Sequence, residues 1–292
     1  MTSSSPRFAV TGASGYVGSI LVRALESRGE VIRMVRHPSG ERDMEWSLDS
    51  DSESVTRELA RRKVTHLVHA AWDMKVNSVD DIQRTCVQGS ARLFEAARSA
   101  GVQQVVFIST ISAFAGARSV YGQAKLAVER MALQAGGVVL RLGLVYGGSG
   151  GGVFGSLEQV ADKARIVPMI GDGSSLQYLL HEETLADVVR RAIAGEFDKA
   201  KGPLTIAQPD GIAFRALLRH IASMQGRRLI LIPVPWRVLY MGLKLAETAG
   251  LKLNFRSDSV ISVVFQNPSP DFTALNCFGI APRSLSIADQ SR

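Results

Sequence analysis

Between residues 7 and 142 the chain alternates two patterns. Apolar runs of a few residues are separated by longer stretches in which apolar residues return at helical spacing. The runs read as buried strands and the stretches as amphipathic helices. Arg7-Phe8-Ala9-Val10 predicts the first strand. Ser19 to Arg28 predicts the first helix, with Ile20, Leu21, Ala24 and Leu25 on one face and Gly29 as the expected helix terminator. Further strands are predicted at Val31–Val35, Thr65–Ala71, Gln104–Ile108 and Val138–Leu142, and further helices at Val55–Arg62, Ile82–Ser99 and Tyr121–Leu133. Strands and helices alternating over short connections are satisfied by a parallel sheet covered on both faces. Right-handed crossovers make that sheet doubly wound, so the expected fold class is α/β.

The segment Gly147 to Gly155 holds six glycines in nine residues and predicts a mobile loop at the carboxyl edge of the sheet, where ligands of such sheets bind. Beyond it the pattern is less regular. Helices are predicted at residues 185–194, 214–224 and 236–249, and strands at 204–207 and 229–232, the latter stopped by Pro233 and Pro235. Residues 1–150 are expected to carry the sheet, with later segments able to return to it, and residues 151–292 a smaller α/β substrate lobe. In the last of these helices Leu239, Leu243 and Ala246 share a face with Arg237 and Lys244 elsewhere. Packing against the core is the expectation there, and no membrane contact is expected.

Composition narrows the class. The 292 residues are 46% hydrophobic, enough for a large core, which excludes a disordered chain. Two isolated cysteines, Cys86 and Cys277, make neither a disulfide framework nor a zinc cluster, and the spacing of His66, His69 and His181 is not that of metal ligands. No metal is expected. No apolar run reaches the roughly 18 residues of a membrane span. Met1 to Pro6 is a short polar tail without a signal region, so a soluble, cytoplasmic protein is expected. The net charge of +7 is uneven: residues 1–211 hold 24 basic and 23 acidic side chains, residues 212–292 hold 10 and 4. No basic run interleaved with aromatics accompanies this excess, so nucleic acid is not the expected partner. An anionic small molecule is, met by the lobe that carries Arg215, Arg219, Arg227, Arg228, Arg237, Lys244, Lys252 and Arg256.

Two motifs carry chemistry. Thr11-Gly12-x-x-Gly15-x-x-Gly18 lies between a strand and a helix, where glycines permit a tight turn and close approach of a pyrophosphate to free helix N–H groups. A carboxylate at the end of the second strand accepts hydrogen bonds from an adenosine ribose, whereas a cation favours a 2′-phosphate. Arg36 stands there, so the expected cofactor is NADP, with NAD as the alternative. Tyr121-x-x-x-Lys125 puts a phenol and an ammonium on one helix face, after a strand that ends in Ser109-Thr110-Ile111-Ser112. A phenol stabilised as phenolate can exchange a proton with a carbonyl or alcohol near neutral pH. Trp72, after the third strand, is a further candidate for contact with nicotinamide or substrate.

Together these residues resemble the extended short-chain dehydrogenase/reductase superfamily, the NAD-dependent epimerase/dehydratase family. His69-Ala70-Ala71, Val87-x-Gly89-Ser90 and Arg141-x-x-x-Val145-Tyr146-Gly147 extend the resemblance over nearly the whole chain. It implies a Rossmann-type sheet with Tyr121 as general acid/base, Lys125 binding the nicotinamide ribose and lowering the Tyr121 pKa, and Thr110 holding the substrate oxygen. Ser109 and Ser112 stay open as alternatives to Thr110. It places the dinucleotide on Gly12, Ser14, Gly15, Tyr16, Val17, Arg36, Leu48, Ala70, Ala71, Lys125 and Leu144, and it implies a homodimer. Ile111-Ser112 stands where sugar dehydratases carry an acid pair, and Cys86 where the family often has Asn. What the resemblance leaves is hydride transfer to a carbonyl or from a secondary alcohol, with a nucleotide-sugar 4-epimerase and a non-catalytic NADP-binding protein as alternatives.

Overall fold

The computed structural model describes residues 5–76, 78–148, 151–251 and 255–285, so Gly150 of the glycine segment and Lys252 of the basic lobe lie outside the described residues. In chain order the elements are β1 (Arg7–Thr11), α1 (Tyr16–Glu26), β2 (Glu30–Val35), β3 (Asp43–Glu45), α2 (Ser52–Arg61), β4 (His66–His69) and α3 (Val79–Ile82). A π-helical turn (Gln83–Val87) runs into α4 (Gln88–Ser99). Then come β5 (Gln104–Thr110), α5 (Val120–Gln134), β6 (Val138–Leu142), β7 (Leu144–Tyr146), α6 (Gly152–Lys163), β8 (Ile166–Ile170), β9 (Leu176–Gln177) and β10 (Leu179–His181). The remainder is α7 (Glu182–Ile193), β11 (Leu204–Ile206), β12 (Ile212–Ala213), α8 (Phe214–Met224), β13 (Ile230–Val234), α9 (Trp236–Thr248), α10 (Ser257–Val264) and α11 (Thr273–Cys277).

Seven strands form one sheet in the order β3-β2-β1-β4-β5-β6-β11, and every pairing in it is parallel. Its last strand comes from residues 204–206, well past the glycine segment. One face packs Phe8, Leu21, Leu25, Leu140 and Val188, where α1 and α7 lie; the other packs Ile32, Leu59, Leu67, Phe107 and Val128, under α2, α4 and α5. The strand order reverses between β1 and β4, the point at the carboxyl edge where sheets of this topology form a ligand crevice. Three two-stranded pairs, β7 with β10, β9 with β12 and β8 with β13, build the smaller lobe.

Several expected boundaries shift for identifiable reasons. The first helix begins at Tyr16 and closes on Ser27, in a right-handed conformation, so Gly29 is not its terminator. Gly29 is small because a Cβ there would strike the Pro6 carbonyl just ahead of β1. The strand expected at 65–71 stops at His69, because the Ala70 and Ala71 N–H groups donate to the Thr11 hydroxyl (3.1 Å each). The glycine segment is helical from Gly152 onward, where α6 starts. Pro233 does not stop its strand but lies inside β13, in a two-stranded pair that can spare its N–H. The helix expected at 236–249 forms as α9, yet none of its residues is buried, which overturns the expected core packing. Among the described residues no helix is long and apolar enough to cross a membrane.

Candidate active site

The glycine turn sits at the crevice. Gly12 has φ +68°, and a Cβ on it would press on the Ala71 backbone nitrogen at 2.9 Å. A Cβ on Gly18 would collide with the Gly12 carbonyl, so the helix can approach the strand only with glycine at both places. Gly15 caps α1 without a side chain, which leaves the first-turn N–H groups of α1 open toward the crevice. Ser14 and Gly15 are exposed, Val17 is half-buried, and the Tyr16 hydroxyl donates to the Gly147 carbonyl at 3.0 Å. Gly151 and Gly152 lie so close to the Tyr16 ring that a side chain on either would strike it. Gly147, Gly151 and Gly152 thus pack against Tyr16 at the start of α1.

Below the turn, one hydrogen-bond chain ties β1, β4 and α4 together. The Ser90 hydroxyl donates to the Cys86 carbonyl (2.7 Å), so it must accept from His69 Nε2 (2.9 Å). His69 Nδ1 then accepts from the Thr11 hydroxyl (2.7 Å), whose oxygen receives the Ala70 and Ala71 N–H groups. Burial pushes the His69 pKa down to about 3, so the ring is neutral and its tautomer is set by these partners. His69 is a positioning group at the crevice floor. His66 packs against Phe8 on the opposite face of the sheet, as the spacing predicted.

Tyr121 and Lys125 stand one turn apart on α5. All the free amides at the start of this helix are occupied. Ser119 Oγ accepts from Gly122 N, the Ser119 carbonyl accepts from Gln123 N, and the Asp258 carboxylate accepts from Val120 N (2.8 Å) and Tyr121 N (3.1 Å). Asp258 comes from α10, across 137 residues, and nothing in the sequence pattern marked it. The Lys125 side chain is only 3% exposed. Its Nζ donates to the Ile108 carbonyl (2.9 Å) and lies over the Trp72 ring (4.3 Å) and the Phe107 ring (4.7 Å). Burial lowers its pKa to about 7. Trp72 also meets Tyr121 edge-on at 5.7 Å, which joins it to the site.

Burial pushes the Tyr121 phenol up to about 12, opposed by the Thr110 side chain, and the nearby Cys86 adds to the rise. The expected lowering by Lys125 is not seen, because that ammonium is itself desolvated and turned to the Ile108 carbonyl. Ser109 is committed elsewhere: its hydroxyl donates to Glu129 Oε1 (2.5 Å), a carboxylate that also holds Arg141 through two bonds (2.8 and 2.6 Å). Ser112 N donates to Thr110 Oγ1 (3.2 Å). Of the three hydroxyls left open by the sequence, that of Ser109 is held by Glu129, and Thr110 opposes the rise of the Tyr121 pKa. Cys86 is buried in the π-helical turn, its thiol toward the Asp73 carbonyl, with a pKa raised by burial.

The other expected contacts spread along the crevice edge. Arg36 is exposed just past β2, two residues beyond the one paired with Thr11. The nearby acid Asp43 is engaged by Arg33 Nε (2.7 Å) and by the amide and hydroxyl of Ser39. Leu48 is buried, and its carbonyl accepts from Arg92 (2.7 Å). Ala70 and Ala71 are half-buried beside Gly12, and Leu144 is half-buried at the base of the lobe, where it packs against the core of that lobe. The residues present fit a dinucleotide on two grounds. The open α1 amides face a turn with no room for side chains. The buried Lys125 ammonium has three donors but, among the described residues, one acceptor, and vicinal ribose hydroxyls supply the kind of partner it lacks.

The chain is similar to known proteins in sequence and fold. The chain is 28% identical over 241 residues to a ceramide reductase of Caulobacter vibrioides (strain NA1000 / CB15N), a match covering 78% of this chain and 74% of the relative. It is 28% identical over 236 residues to a UDP-glucose 4-epimerase of Azospirillum brasilense, covering 64% of this chain and 68% of the relative. A solved structure of MoeE5 in complex with UDP-glucuronic acid and NAD superposes with a TM-score of 0.71 at 21% identity, over 95% of this chain and 94% of that one. The NAD dependent epimerase/dehydratase family model matches residues 8–206, from β1 through β11. With the glycine turn, the Tyr121–Lys125 helix and the returning seventh strand all inside that span, the chain belongs to the NAD dependent epimerase/dehydratase family.

Proposed function

We propose that the protein is an NADP-dependent oxidoreductase that interconverts a carbonyl and a secondary alcohol. The observation that carries this reading is the convergence of Tyr121, Thr110, Lys125 and Trp72 at the sheet edge that also holds the open α1 amides. The dinucleotide, when bound, supplies or takes the hydride. Tyr121 gives or takes the proton at the substrate oxygen, and Thr110 orients that oxygen. Lys125 holds the ribose and, with its donors satisfied, keeps the charge that favours the phenolate. Trp72 and Phe107 shield that ammonium from water.

Arg36 supports NADP over NAD, since it is exposed one residue past the end of β2, although Glu45 lies opposite Val35 on the neighbouring strand. The ceramide reductase relative is named for a reduction. The UDP-glucose 4-epimerase relative and the nucleotide-sugar-bound MoeE5 favour a second reading, an epimerase that keeps its dinucleotide through the cycle. Two measurements separate them. In parallel fluorescence titrations NADPH is expected to bind at least tenfold more tightly than NADH, and equal affinities remove the NADP assignment. Denaturing the purified protein is expected to release little dinucleotide; a stoichiometric amount supports the epimerase instead.

A further inference from the structure

The smaller lobe carries a surface that the fold does not use. On α9, Val238 (61% exposed), Met241 (63%) and Leu245 (68%) lie on one side, at spacings of three and four. Leu239, Tyr240, Leu243 and Ala246 occupy the half-buried side, which packs toward α10. The helix is therefore apolar on both sides, though among the described residues only one is covered, and such a helix in a globular protein has a second partner to meet. β13 leads into α9 through Pro235, and the same exposure continues along it at Ile230 and Ile232, with Ile166 paired opposite.

Apart from Asp162 and Asp172, which pair with Arg227 and Arg215, the charges beside this surface among the described residues are basic. Arg237 and Lys244 are exposed on the flank of the α9 stripe, Arg165 precedes Ile166, and Arg228 precedes β13. Among the described residues none of these four forms an ion pair, although Arg237 lies over the Trp236 ring (5.4 Å). The single acid of α9, Glu247, turns inward, where its carboxylate accepts from Ser257 N (2.8 Å) and Ser257 Oγ (2.7 Å). Large apolar side chains bordered by free cations match the acyl boundary and anionic headgroups of a bilayer. A second copy of the chain is the poorer match, since a two-fold contact would set the same cations against one another.

We propose that the face formed by α9 and the β8–β13 pair docks the protein on an anionic lipid surface. The docked face is mechanically close to the active site. Ser257, held by Glu247, precedes Asp258, whose carboxylate caps α5 at Tyr121. Arg256 donates to the Val76 carbonyl (2.8 Å), in the segment that follows Trp72. The proposal stands apart from the redox reading, and either can fail without the other.

The test is co-sedimentation of the full chain with vesicles of phosphatidylcholine alone and of phosphatidylcholine with about one third phosphatidylglycerol. The anionic vesicles are expected to bind the protein, and added salt to weaken that binding. Each of R237A and K244A is expected to lower partitioning about fivefold. The double variant M241E/L245E is expected to lower it at least about tenfold, with thermal unfolding unchanged because both positions are exposed. Failure to bind anionic vesicles overturns the proposal, as does equal binding by M241E/L245E. A dimer in light scattering that M241E/L245E dissolves, without vesicle binding by the parent, assigns the face to self-association instead.

Discussion

Lys125 shows how much of the candidate site is a matter of single residues. Its ammonium is enclosed by Trp72, Phe107 and the Ile108 carbonyl, and its pKa falls to about 7. The unfolded chain keeps the ordinary lysine value, so it binds more protons than the folded chain between about pH 7 and 10.5. Stability of the dinucleotide-free protein is therefore expected to rise with pH through that window on account of this group, and to lose that increment as pH falls back toward 7. In K125M the increment disappears, which urea unfolding of both proteins across the window measures. Tyr121→Phe is expected to lower turnover by a factor of about 10² to 10⁴ while dinucleotide affinity stays within a few-fold. Turnover that survives the change removes Tyr121 from the chemistry. Tyr121, Lys125 and Thr110 were legible as a motif. The commitment of Ser109 to Glu129 was not, because that contact spans β5 and α5 and has no local spacing rule.

At the scale of elements, two helix starts differ in purpose. The first turn of α1 has no capping side chain and faces the crevice, whereas every free amide at the start of α5 is taken. The cap on α5 is supplied largely by Asp258 of the other lobe. Asp258→Ala is expected to cost about 1 kcal/mol of stability. Because Tyr121 lies in that first turn, its turnover is expected to fall by more than its substrate affinity. Asp258→Asn, which keeps an acceptor, is expected to recover part of both. Thermal unfolding and a split of kcat from KM read the two effects. Helix and strand identity was visible in apolar periodicity, but the ends were not. Gly29 reads as a terminator from its place in the sequence and is set by the Pro6 carbonyl instead. The short strands β3, β7, β9 and β12 are too brief to show a period, and their pairing partners alone define them.

For the whole molecule, the crevice is bordered by residues of α1 and α5 and by those that follow β2 and β4, so a ligand there braces the middle strands of the central sheet against two helices. Saturating NADPH is expected to raise the unfolding temperature of the chain as a single transition, by the equivalent of about 2.7 kcal/mol at one hundred times its dissociation constant. Arg36→Asp is expected to abolish the advantage of NADPH over NADH in the same assay, since a carboxylate repels the 2′-phosphate and accepts from the ribose. The charge distribution also gains a location at this scale. The basic excess after residue 211 includes Arg228 and Arg237, which border the exposed face of β13 and α9, and Arg256, which reaches back to Val76.

Local patterning by itself determined the alternating strands and helices, the glycine turn and the Tyr121–Lys125 pair, because each rests on residues close in sequence whose backbone geometry is dictated by the neighbours. It also determined that the sheet would be parallel and doubly wound, since short crossovers leave few other solutions. Only the tertiary structure decided what depends on distant partners. The Thr11–His69–Ser90 chain joins residues from β1, β4 and α4. Burial from several elements sets the Lys125 and Tyr121 pKa values, and Asp258 crosses from the second lobe to cap α5. The fate of α9 belongs to the same class. Its residues promise a buried helix, but whether a face is covered depends on what the rest of the chain brings against it, and here nothing described covers the outer one.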